Sequence, residues 1–122
     1  MARIFPYQFC GNYLQYANRE YDLPYDQHYL LALMAPRALC VGSASLDEWA
    51  DPWSEFLSCA AASKAYELLG EKGLVTPDEK PEVGTALLEG CLGYHLREGL
   101  HFFSRSDWLR YMEFRKLHGS VF

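Results

Sequence analysis

The run RALCVGSAS, residues 37–45, constrains this chain more than any other stretch. Its apolar residues do not alternate with polar ones, and it ends in Gly and Ser. A strand with one wet face alternates, whereas a strand in a parallel sheet is covered on both sides and reads as a continuous apolar run. The next segments fit that reading. LDEWADP is a loop carrying three acids and a tryptophan, and Pro52 suits the first turn of a helix over roughly Trp53 to Leu69, with Gly70 at its end. Phe56, Leu57, Ala60, Ala61, Tyr66, Leu68 and Leu69 give that helix a broad apolar face.

Around this unit the chain divides into further stretches. Residues 1–25 are aromatic and rich in Gly, Asn and Pro, and they hold no lasting period, which predicts a long ordered loop with a helical turn. Residues 26–69 run from a short apolar helix, capped by Asp26 and stopped by Pro36, through the strand and acidic loop to the longer helix. Residues 70–90 are rich in Gly, Pro and charge and read as an excursion over the surface. Residues 91–122 contain a second short strand, CLGYHLR, a loop with His101, and a helix begun by Asp107 and ended by Gly119. Strands alternating with helices predict an α/β fold with parallel crossovers. Two strands are few for so many apolar helices, so the 122 residues read as a single partial domain, one end of a larger layered fold.

Composition excludes several function classes. A net charge of −5 without a Lys/Arg stripe argues against a nucleic-acid partner. No apolar run approaches the roughly 20 residues of a membrane span, and the opening MARIFPYQFCGNY lacks the apolar centre of a signal peptide. Localisation therefore stays open between the cytoplasm and an export signal lying elsewhere. Cys10, Cys40, Cys59 and Cys91 form no CxxC pair and are expected as free thiols, at least Cys40 and Cys59 buried. No histidine pair shows ligand spacing, so no metal and no cofactor are expected.

Loops at the carboxyl ends of parallel strands line the crevice of an α/β sheet. Two such loops carry the parts of a proton relay here: Asp47 after the first strand and His101 after the second. Imidazole can take and return a proton near neutral pH, and a neighbouring carboxylate holds its tautomer. The residues alone leave His101 open between this role and a loop histidine satisfied locally, and Asp47 between relay acid and helix-entry carboxylate. Glu48 and Asp51 read as solvated or capping, His28 and His95 as structural.

The segments FPYQFCGNYLQYA, LPYDQHYLLALMAPRALCVGSASLDEWADP and GYHLREGLHFFSRSDWLRYMEF together resemble the C-terminal third of bacterial glucuronoyl esterase-like proteins, the 4-O-methyl-glucuronoyl methylesterases. These are α/β-hydrolases among the carbohydrate esterases. The resemblance covers nearly the whole chain and is most specific in DQHYLLALMAPRAL and DEWADP. It implies a C-terminal fragment of a doubly wound, mainly parallel sheet with flanking helices. It also implies a serine hydrolase acting on glucuronic acid esters of plant cell-wall carbohydrate. By position, His101 matches the catalytic histidine, Asp47 the acid after the penultimate strand of many bacterial members, and Trp49 a tryptophan beside the sugar site. Trp49 has a second reading, as core closing over the sheet end.

One part of the family pattern is missing. The serine elbow, of G-C-S-R-x-G-K type, has no counterpart here, and Ser43 and Ser45 in GSAS lack the turn and helix an elbow needs. Two expectations follow: part of an esterase inactive alone, served by a complementing N-terminal chain, or a non-catalytic remnant that self-associates or binds a partner. Family members acting on plant cell wall are expected to be secreted or periplasmic.

Overall fold

The computed structural model describes residues 4–77 and 79–119. The non-alternating run forms β1 (Leu39–Ala44), followed by α2 (Pro52–Leu68), β2 (Ala86–Leu87), β3 (Leu92–Arg97) and α3 (Arg105–Leu117); a short α1 (His28–Ala32) precedes them. The strand order is β1-β3-β2. β1 and β3 pair in parallel, in a register that sets Leu39 opposite Leu92 and Ala44 opposite Arg97, so both strands end at the same edge. The α/β class and the parallel pair match the expectation.

β3 shows why its sequence does not alternate. Leu92, Tyr94 and Leu96 point to the side of α2, where they pack with Phe56, Cys59, Ala62 and Tyr66. The intervening Gly93 and His95 face α3: Gly93 lies under the ring of Phe114, and His95 meets Tyr111 edge-to-face at 5.1 Å. Each buried tyrosine finds a carbonyl for its hydroxyl, Tyr66 on Arg37 and Tyr94 on Pro52, both at 3.0 Å. Those bonds remove the cost of a buried phenol and leave the gain of a large apolar ring.

Several local expectations need correction. Residues 70–90 are not only a surface excursion, because β2 within them adds an antiparallel strand to β3, with Ala86 opposite His95. Two residues are too short for any periodic signal; pairing with β3 makes them a strand. In α1 the cap position is Gln27 and no side chain caps it; Asp26 accepts from the adjacent Gln27 N–H instead. The aromatic loop winds through three 3-10 turns, Pro6–Gln8, Tyr13–Tyr16 and Glu20–Asp22, rather than one helical turn. In α2 the buried face is narrower than predicted: Phe56, Cys59, Ala62, Ser63 and Tyr66 are buried, whereas Leu57, Ala61 and Leu68 lie on the exposed flank. α3 starts earlier than expected, because Ser104 is its cap and Asp107 the reciprocal partner in a capping box.

Two signals of α2 fall as read. Asp51 caps α2, accepting from Ser54 N, and Gly70 takes φ +84° just past its end. The cysteines are free; Cys59 is buried as expected whereas Cys40 is only half-buried, and burial pushes both thiols up to about 12. Among the described residues, no helix is long and apolar enough to cross a membrane.

Candidate active site

β1 and β3 stop side by side, so the loops that leave them are neighbours. The backbone ties them together: Ser45 N–H donates to Arg97 O and Leu46 N–H to Gly99 O, both at 2.9 Å. Gly99 N–H returns a bond to Ser45 Oγ at 3.3 Å. The acid loop and the histidine loop thus extend the parallel ladder beyond the last paired residues.

Asp47 and His101, 54 residues apart in sequence, meet at that edge. Asp47 Oδ2 lies 2.5 Å from His101 Nδ1. The Asp47 side chain is only 11% exposed, whereas the imidazole is 88% exposed. The carboxylate therefore holds the inner nitrogen, and Nε2 sits on the outward side of the ring, open to an incoming hydroxyl. A proton on Nδ1 directed at a carboxylate leaves Nε2 as acceptor, which is the tautomer a general base requires.

Both residues line a cleft of about 260 Å³ that also takes in Ser43, Glu55, Arg97 and Tyr111. Glu55, absent from the sequence-based set, reaches it from the first turn of α2. Burial pushes the Glu55 carboxyl up, the Ser43 hydrogen bond pulls it down, and the Asp47 and Asp51 charges push it up again, with a raised pKa as the outcome. Ser43 is buried and donates its hydroxyl to Glu55 Oε2 at 2.5 Å. Neither Ser43 nor Ser45 bonds to His101, and among the described residues the structure joins no serine to the histidine. An acid one helical turn beyond Asp51, facing back at the strand end, was the available signal for Glu55; its spacing resembles that of any amphipathic helix.

The other named residues stand apart. Trp49 is 64% exposed and packs edge-to-face on Phe5 at 5.9 Å, so in this chain it does not close over the sheet end as core. His28 packs its ring on Tyr29 at 4.6 Å. His95 is structural, as expected: it is buried with Nε2 at 2.9 Å from Asp107 Oδ1. Glu48 is exposed. Among the described residues, no group of three or more His, Cys, Asp and Glu is placed to hold a metal ion.

Comparison with known proteins gives the site a context. The family described as "Glucuronyl esterase, fungi" matches residues 6–70. Carbohydrate esterase MZ0003, from an unknown prokaryotic organism, is 45% identical over 116 residues, which is 93% of this chain and 26% of that protein. A promiscuous CE15 esterase from a marine bacterial metagenome superposes with a TM-score of 0.87 at 43% identity, covering 96% of this chain and 29% of that one. The glucuronoyl esterase of Solibacter usitatus superposes with a TM-score of 0.85 at 44% identity, covering 95% and 29%. The chain therefore spans between a quarter and a third of the length of these relatives.

Proposed function

Since this chain belongs to the glucuronyl esterase family, we propose that it supplies the histidine and the acid of a serine carboxylic-ester hydrolase acting on glucuronoyl esters of plant cell-wall carbohydrate. The observation that carries this is the 2.5 Å contact between Asp47 Oδ2 and His101 Nδ1, with the ring otherwise turned outward. In this reading the chain is a C-terminal part, and the serine comes from outside it. His101 Nε2 takes the proton from that serine as its oxygen attacks the ester carbonyl. Asp47 stabilises the imidazolium, and the proton passes to the alcohol as it leaves. Water then cleaves the acyl-serine by the same relay in reverse. Trp49, exposed within the acid loop, offers a flat apolar face for the sugar ring.

The test is a chimera in which this chain replaces the matching segment of carbohydrate esterase MZ0003, assayed on benzyl glucuronate. Turnover is expected, and His101→Ala should cut kcat/KM by about ten-thousandfold. A folded chimera with no turnover, or with turnover indifferent to His101, overturns the reading.

A second reading has its own observation. Among the described residues β1 pairs on one side only, and Leu57 and Leu68 of α2 stand 45% and 87% exposed. An open strand edge and exposed apolar side chains each favour association, either with a complementing chain or with a second copy. Light scattering across the micromolar range tests the second-copy form: a mass that stays monomeric throughout removes it.

A further inference from the structure

Leu100, Phe102 and Phe103 of the loop that carries His101 are largely exposed, yet a relay needs its imidazole fixed. We infer that Arg97 is the positioning residue of this relay, an inference that rests on the His101–Asp47 reading above. Arg97 is the last residue of β3, and its side chain is only 10% exposed. Its guanidinium gathers the carbonyls of the histidine loop. Nη1 donates to Glu98 O at 3.0 Å, Nη2 donates to Leu100 O at 3.0 Å, and the same Nη2 donates to Phe102 O. The carbonyls on either side of His101 thus converge on one nitrogen, and the chain bends around it with His101 at the apex. The Phe102 ring completes the wrap, its centroid 4.3 Å from the guanidinium carbon.

Arg97 is itself held from behind. Its Nε donates to Asp107 Oδ2 at 2.8 Å, and that oxygen also receives Ser104 N–H at 2.7 Å. The other carboxylate oxygen meets His95 Nε2. The guanidinium is therefore anchored to the capped end of α3. Gly99 makes room for it: φ is +120°, and a Cβ there would lie 2.9 Å from Nη1. On its main chain, Arg97 O receives Ser45 N–H at 2.9 Å and so holds the start of the acid loop. One residue thus fixes both partners, the loop of Asp47 through its backbone and the loop of His101 through its side chain.

The arrangement calls for arginine specifically. Five donors in one rigid plane can serve one carboxylate and three carbonyls at once, whereas a lysine at the same place brings one ammonium with three donors and no fork. Arg97→Lys keeps the charge beside Asp107 but gives up most of the loop. A residue needed only for that charge would be rescued by lysine; a positioning residue would not.

The experiment is nitrogen-15 long-range NMR of the full chain, reading which nitrogen of neutral His101 carries the proton. Wild type is expected to hold it on Nδ1, and Asp47→Asn to release it toward the Nε2 form that a free imidazole prefers. Arg97→Lys and Arg97→Met are expected to lose the Nδ1 form as fully as Asp47→Asn does, with the dispersed amide spectrum retained. If wild type lacks the Nδ1 form, or Asp47→Asn leaves it unchanged, the relay reading falls. If that form depends on Asp47 but survives either Arg97 variant, only the positioning inference falls. Loss of the folded spectrum in both Arg97 variants also overturns it, because Arg97 would then serve the whole fold and not the loop.

Discussion

His95 and Asp107 form a buried pair, Nε2 to Oδ1 at 2.9 Å, that joins the middle strand of the sheet to the first turn of α3. Burial pushes the Asp107 carboxyl up, but hydrogen bonds from His95, Ser104 and Arg97 outweigh it and hold the carboxyl well below the usual carboxylate range. In acid the unfolded chain therefore takes up a proton that the folded chain refuses. The contribution is complete above the ordinary value of 3.8 and is lost as pH falls below it. Asp107→Ala should cost about 3 kcal/mol or more at neutral pH, by leaving Arg97 and His95 without their shared partner. Urea melts from neutral pH down to about pH 3 should show a shallower acid dependence in the variant than in wild type. Equal slopes would mean that Asp107 is not the group responsible.

His101→Ala should leave stability within about 1 kcal/mol of wild type. The ring is almost fully exposed, and the loop around it is held through the carbonyls of Leu100 and Phe102, which the substitution leaves in place. A thermal melt checks this; a large drop would assign His101 a structural role instead of a chemical one.

The purified chain should not react with a fluorophosphonate, a probe that traps only an activated serine. Ser43 Oγ is committed to Glu55 and Ser45 Oγ accepts from Gly99, so neither has the histidine as its base. Intact mass measures the outcome. An adduct on Ser43 or Ser45 would show that the chain carries its own nucleophile.

Gly90→Ala should destabilise by about 2 kcal/mol or more, since its Cβ would sit 1.7 Å from the carbonyl oxygen of Gly73. Both glycines are buried, and backbone meets backbone where Gly73 and Gly90 pass each other. Gly11→Ala, with nothing within 4 Å of its Cβ, is the matched control and should be near neutral. Denaturant midpoints for the two variants decide it; similar values would mean that the Gly73–Gly90 crossing yields easily.

The sequence by itself determined the elements whose signals are local. β1 and β3 declared themselves through apolar runs, α2 through Pro52 and Gly70, and the relay candidates through their place after the two strands. The start of α3 is equally local, but Asp107 and Ser104 belong to one capping box and it is Ser104, three residues earlier, that holds the cap position. Tertiary structure decided whatever depends on a partner distant in the chain. Ala86 and Leu87 became a strand because β3 offered a free ladder beside them. Glu55 joined the cleft because α2 starts beside the end of β1. The role of Arg97 depends on three carbonyls, one carboxylate and a strand end meeting at a single guanidinium. A cap, a turn or a period is written in residues a few places apart. A hydrogen bond between two loops 54 residues apart exists only once parallel pairing has brought both strand ends to one edge.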